Sequence, residues 1–156
     1  MSIENVRSYF AGFGKAQAIL EFPVSSATVE LAAQALSVEP ARIAKTLSFQ
    51  GESENDCILV VTAGDRKIDN GKFKHYFRKK ARMLTPNQTL IQTGHAIGGV
   101  CPFANPAGVQ VYLDISLRRF STVFPACGSN HSAIELTCDE LFMYANARGW
   151  VDVCKD

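Results

Sequence analysis

The sequence predicts an α+β fold: a mixed, largely antiparallel sheet flanked by helices. Three observations carry that reading. Helical and strand patterns interleave along the 156 residues. The two strongest strand segments, "KTLSFQ" and "CILVVTAG", are separated only by the polar, glycine-containing "GESEND", which suits a hairpin. No glycine-rich phosphate loop joins a strand to a helix, which disfavours a nucleotide-cofactor fold and a doubly wound parallel sheet.

The elements follow in order. "SIENVRSYF" places Ile3, Val6 and Phe10 on one helical face. "TVELAAQALSV" is a second helix, with Thr28 as N-cap and Val29, Ala32, Ala33 and Leu36 along one side. Pro40 suits a first helical turn, so "PARIAK" reads as a short third helix ending at Lys45. The strand "CILVVTAG" is almost wholly apolar, as in a strand covered on both faces. Asp69 can cap a helix through "NGKFKHYFRKK", and "ARML" reads as a short strand. Thr85, Pro86 and Gln88 open a further helix that ends at Gly94. "VQVYLD" alternates as a strand, "STVFPA" and "SAIEL" read as short strands, and Thr137 with Glu140 makes a capping box. That box opens a last helix, which stops at Gly149 before the alternating tail "WVDVC".

Composition bounds the function. With 47% hydrophobic and 20% charged residues, residues 1–156 are expected to form a single domain with its own core. A formal charge of +1 argues against a sequence-independent duplex binder, which needs many phosphate contacts. The five cysteines, Cys57, Cys101, Cys127, Cys138 and Cys154, are odd in number and include no C-x-x-C pair, which disfavours a zinc site or a disulfide framework. The N-terminus lacks the basic and apolar regions of a signal peptide, and no apolar run reaches the ~18 residues of a membrane span. A reduced, cytoplasmic protein is the expectation.

Four features can carry chemistry. In "GHAIGGVCPFAN", Cys101 is a candidate nucleophile if an imidazole such as His95 or His131 stands beside it. The same loop can instead act through its backbone: Gly98 and Gly99 permit close approach, Pro102 stiffens the turn, and successive N–H groups can face a carbonyl or oxyanion. A plain structural turn stands beside that reading. Lys45 is either a charge satisfying helix C-terminal carbonyls or a site cation. "RKIDNGKFKHYFRKKAR" holds eight of the sixteen basic residues and Asp69 as its only acid, which fits either a phosphate backbone or a solvated face. The turn at Gly128, Ser129, Asn130 and His131 can bind a ligand or simply reverse the chain.

Taken together and in order, "SSATVELAAQAL", "PARIAKTLSF", "VVTAGDRKID", "TGHAIGGVCPF" and "GSNHSAIEL" resemble the YbaK/prolyl-tRNA synthetase-associated (INS-like) editing domain family. These are freestanding aminoacyl-tRNA deacylases. The resemblance implies a curved, partly barrel-like sheet and trans-editing without metal or other cofactor. The substrate would be a mischarged tRNA, tRNA-Pro or a related tRNA carrying Ala, Cys, Ser or Thr.

By the same resemblance, Lys45 is the key lysine near the terminal adenosine and ester, and Gly98 and Gly99 hold the ester carbonyl. Thr46, Val100, Cys101, Pro102, Phe103, Gly128, Ser129 and His131 would line the substrate site. The basic residues Lys72, Lys74, Arg78, Lys79 and Lys80 would meet the tRNA, with a synthetase as a further partner. Many relatives carry an acid where Ala133 stands, so no role of that acid transfers. A non-catalytic tRNA-binding module and a Cys101-dependent hydrolase are the alternatives.

Overall fold

Helix starts are set by side chains that accept the first free N–H groups. In the computed structural model, which describes residues 2–156, Thr28 accepts from Leu31 N at the head of α2 (Val29–Leu36; α1 is Ser2–Ala11). Asp69 accepts from Lys72 N at α3 (Asn70–Phe77). Full capping boxes, Thr85 with Gln88 and Thr137 with Glu140, open α4 (Pro86–Thr93) and α5 (Cys138–Tyr144). Each such cap stabilises its helix by about 1 kcal/mol.

Several boundaries differ from the sequence reading. "PARIAK" forms only a 3₁₀ turn at Pro40–Arg42, because Ile43 turns extended and enters a strand, β2 (Ile43–Gln50; β1 is Leu20–Glu21). Lys45 therefore lies within a strand and is no helix-terminal charge. Helix α3 stops at Phe77, where Arg78 takes a left-handed conformation (φ 62°), so Lys79 and Lys80 lie beyond it. "ARML" contributes a single bridge, Met83 to Phe49. "SAIEL" splits into β6 (Ser132–Ala133) and β7 (Leu136–Thr137), which belong to different sheets.

The main sheet has the order β7-β5-β2-β3-β4-β8, where β3 is Cys57–Ala63, β4 Val109–Asp114, β5 Thr122–Pro125 and β8 Trp150–Val151; β1 and β6 form a separate pair. It is mixed and curled into an open half-barrel. The β2–β3 pair is the antiparallel hairpin expected from "GESEND". The ladders are more often parallel than the sequence suggested: β2 with β5, β3 with β4 and β4 with β8. For β3 and β4 the cause is the crossover through α3 and α4, whose length lets β4 enter parallel to β3.

Strand β3 is buried along its whole length, between two cores. One face, with Leu59, Val61 and Ala63, packs against Val6 and Phe10 of α1 and Leu141 of α5. The other, with Ile58 and Val60, packs against Phe49, Phe73 and Val153. Fully burying a side chain such as Phe10 contributes about 1.5–3 kcal/mol. Helix α2 closes the end of β2 by setting Ala32 and Ala33 on Ile43 and Phe124.

Candidate functional site

Strand β2 has a gap on its outer edge. Strand β5 pairs with it only at Ile43 and Ala44. Farther along, Leu84 N donates to Ser48 O (3.1 Å) and Gln50 N donates to Arg82 O (2.8 Å). Backbone groups two residues apart in a strand point to the same edge, so those of Thr46 face the opening between these two contacts. A cavity of about 290 Å³ lies at the opening. Its lining combines Thr46 and Ser48 of β2 with Ser26–Val29, Ile97, Gly98, Val100, Phe124, Ala126 and Ser132.

Most of the cavity's hydroxyls are already engaged. Thr28 caps α2, Ser48 bonds to Thr89 (2.8 Å), and Ser132 bonds to Ser129 (2.8 Å). Ser26 Oγ and Thr46 Oγ1 are buried with no partner among the described residues. The remaining wall is largely apolar and includes no carboxylate.

The glycine loop closes the cavity because two chain segments approach without side chains between them. Gly98 has φ +92° and lies under Ala27 and Asn130. Gly99 lies flat on the Gly128–Ser129 backbone, and Gly128, also at φ +92°, makes room for Ser2. The Gly99 N–H is committed to Ala96 O (3.0 Å), which removes it from any carbonyl cradle. Gly98 and Val100 both line the cavity, and their N–H groups have no such bond among the described residues.

Lys45 reaches the same wall, and alternation sends its side chain off the opposite face of β2 from Thr46. Its ammonium donates to the Arg66 carbonyl in the loop after β3. Burial lowers its pKa below the ordinary lysine value, while Cys154 and Asp65 nearby oppose the shift.

The site thus joins an open strand edge, free backbone donors, one half-buried cation and a small apolar pocket. The sequence pattern described as "Aminoacyl-tRNA editing domain" matches residues 24–143, which hold all of these features. The chain belongs to the aminoacyl-tRNA editing domain family. Along its full length it is 55% identical to the uncharacterized protein YwhH of Bacillus subtilis, covering 99% of that protein. It is 26% identical over 122 residues, 78% of this chain and 74% of the relative, to EbsC of Enterococcus faecalis, provisionally named a Cys-tRNA(Pro)/Cys-tRNA(Cys) deacylase. A crystal structure provisionally described as a trans-editing enzyme for prolyl tRNA synthetase superposes with a TM-score of 0.88 at 29% identity, covering 99% of this chain and 98% of that one.

This editing domain buries Cys101 completely. Burial pushes its thiol up to about 12. His95 does stand beside it, with Nε2 3.5 Å from Sγ. That nitrogen also lies 2.9 Å from the Phe103 carbonyl, which can only accept, so it carries the proton and cannot take one from the thiol. Nδ1 faces the Ser2 hydroxyl. The pair anchors the loop from behind, and a Cys101 nucleophile is ruled out by this geometry. Phe103 is likewise buried, edge-on to Phe10 at 4.8 Å, and Pro102 faces a different depression beside Tyr9. Neither lines the cavity. Ser129 supports Ser132, and His131 bonds to Asn130 beside it (3.0 Å).

The basic segment is partly engaged within the editing domain. Lys72 bonds to Asp152 (3.2 Å), the Cys154 carbonyl (2.9 Å) and Asp156 (3.4 Å), and Lys79 to the Gly51 carbonyl. Lys74, Arg78 and Lys80 are exposed. A polar depression lined by Lys79, Arg82 and Glu52 shares Met83 and Leu84 with the cavity, so this segment reaches the cavity rim through its C-terminal end. Among the described residues, no group of His, Cys, Asp or Glu is arranged to hold a metal ion, and no helix is long and apolar enough to cross a membrane.

The sequence reading missed Ser26, Ile97, Phe124 and Ser132 as cavity residues. Only the two serines ahead of Thr28 carried a hint: an extended polar stretch before a helix cap.

Proposed function

We propose that this chain is an aminoacyl-tRNA deacylase acting in trans, in the cytoplasm, on a tRNA carrying the wrong amino acid. The acceptor would be tRNA-Pro or a related tRNA, and the amino acid a small one. The observation that carries this reading is the cavity at the open edge of β2, where Lys45, Thr46, Gly98 and Val100 meet.

The aminoacyl group enters the cavity, and the terminal nucleotide lies over its rim. The Gly98 and Val100 N–H groups take the ester carbonyl and stabilise the oxyanion as it forms. Lys45 leaves the Arg66 carbonyl to hold the terminal ribose or phosphate. Water adds to the carbonyl carbon and the acyl–oxygen bond breaks. The ribose oxygen departs with a proton, and the free amino acid is released. An aminoacyl ester is labile, so positioning accounts for much of the acceleration. The exposed cations Lys74, Arg78 and Lys80 attract the acceptor stem, and a synthetase can deliver it.

The test is a panel of aminoacyl-tRNAs, each incubated with the purified protein, with release of the amino acid followed over time. Hydrolysis of one or a few members, lost in Lys45→Ala, is the expected result. Intact esters across the whole panel would refute the proposal.

A further inference from the structure

Lys45 has a chain of support that runs away from the cavity. Its ammonium makes one hydrogen bond among the described residues, to the Arg66 carbonyl. A lysine side chain loses up to about 2 kcal/mol of rotamer entropy when it is ordered, so the ammonium is held only as firmly as that carbonyl. The loop that presents the carbonyl is bound at both ends to segments remote in sequence. At its start, Asp65 accepts from both Nη atoms of Arg119 (3.1 and 2.6 Å), and Ala63 N donates to Ser116 Oγ (3.1 Å). At its far end lies the C-terminal tail, residues 152–156. There Lys155 N donates to Lys67 O (2.8 Å), Asp69 N donates to Val153 O (2.8 Å), and Ile68 bridges Cys154.

The tail in turn hangs on one buried side chain. Asp114, 1% exposed at the end of β4, accepts from Val153 N through Oδ1 and from Ser116 N through Oδ2, each at 2.9 Å. Ser116 is the residue that holds Ala63. One carboxyl group therefore reaches both ends of the Arg66 loop. A buried carboxyl group is costly unless its oxygens are bonded, and here each oxygen bonds a segment that frames the loop. Asp114 is absent from the cavity wall, and the tail lies beyond residues 24–143, which carry the family pattern.

We propose that Asp114 is a positioning residue for the deacylation: through Ser116 and the C-terminal tail it fixes the Arg66 carbonyl, and so sets where the Lys45 ammonium stands when the acceptor end arrives. This rests on the deacylase reading above and on the part Lys45 has in it. Lys45 then exchanges one fixed partner for the terminal ribose or phosphate, with its side chain already ordered. With the loop released, the ammonium turns to solvent and must be ordered again at each turnover.

The experiment is a double-mutant cycle on kcat/KM, read with an aminoacyl-tRNA that the natural protein hydrolyses. Asp114→Asn keeps one accepting oxygen and sets an NH2 group against the other backbone N–H. Lys155→Pro removes the N–H that bonds Lys67 O, whereas Lys155→Ala removes the same charge and keeps that N–H. Each variant is made in the natural chain and in Lys45→Ala, and thermal unfolding verifies that it is folded at the assay temperature. In the natural chain, Asp114→Asn and Lys155→Pro should lower kcat/KM about tenfold, and Lys155→Ala less than about twofold. In Lys45→Ala the same changes should cost less than about twofold, because the lysine they act through is gone. A second readout needs no activity: acetylation of Lys45 by acetic anhydride, mapped by peptide mass, should rise severalfold in Asp114→Asn and Lys155→Pro. Equal losses in both backgrounds make Asp114 a stabilising residue only and overturn the inference. No loss, a gain, an equal loss in Lys155→Ala, or unchanged Lys45 acetylation also overturns it. Should Asp114→Asn fail to fold, the two Lys155 variants decide by themselves. Full activity in Lys45→Ala overturns this inference and leaves the deacylase reading standing, whereas intact esters across the whole panel overturn both.

Discussion

Gly99 lies on Gly128 with no space for a methyl group between them. A Cβ at Gly99 would come 2.8 Å from the Gly128 carbonyl carbon and 2.8 Å from Ser129 N. Both obstacles are backbone, so the loop must move as a unit. Gly99→Ala is expected to lower stability by about 1–3 kcal/mol and to displace Gly98 and Val100 from the cavity wall. Thermal unfolding and deacylation should fall together. Gly149→Ala is the control: nothing lies within 4 Å of its added Cβ, so unfolding and activity should hardly change.

Lys45→Ala should reduce kcat/KM by about 10²-fold, the scale of removing one preorganised electrostatic contact. Its ammonium bonds a carbonyl at a half-buried strand position, so the far-ultraviolet circular dichroism should be unchanged. Lys45→Arg is expected to recover little, because the broader guanidinium does not reproduce the point contact that Lys45 makes with the terminal ribose or phosphate. If Lys45→Ala retains full activity, Lys45 has no part in the reaction.

Cys101→Ala should keep deacylation within about twofold, since the thiol is buried, its pKa is pushed up to about 12, and it faces the core. Iodoacetamide should leave Cys101 unmodified in the native protein and alkylate it after unfolding. Peptide mass mapping before and after denaturation checks both expectations.

Burial depresses the His95 pKa below its ordinary 6.5, against a smaller opposing effect of the Phe103 carbonyl. The unfolded chain therefore binds a proton more readily than the folded one. The stability linked to neutral His95 is fully present above about 6.5 and is lost as pH falls through the lower folded-state pKa. Urea midpoints should decline below about pH 6.5. The His95→Asn variant should be less stable at neutral pH and show a shallower decline. Parallel curves for the two proteins would mean that His95 contributes nothing to the acid dependence.

Much was legible in the residues themselves. The caps at Thr28, Asp69, Thr85 and Thr137, the hairpin around "GESEND" and the alternation of "VQVYLD" act within a few positions of the chain. The ordered motifs pointed to the editing family and to Lys45, Thr46, Gly98 and Val100, which the fold gathers at one cavity.

Three matters were decided only in three dimensions. The direction of β4 depends on a crossover through two helices, which no local pattern encodes. The fate of Cys101 depends on burial behind its own loop and on which nitrogen of His95 carries the proton. The cavity brings Ser26–Val29, Thr46, Gly98 and Ser132, from distant segments, around a gap in a strand edge, and that gap exists because β5 leaves β2 after Ala44. Short-range hydrogen bonding and periodicity set the elements. Long-range packing set which backbone and side-chain groups were left without partners, and those groups define the site.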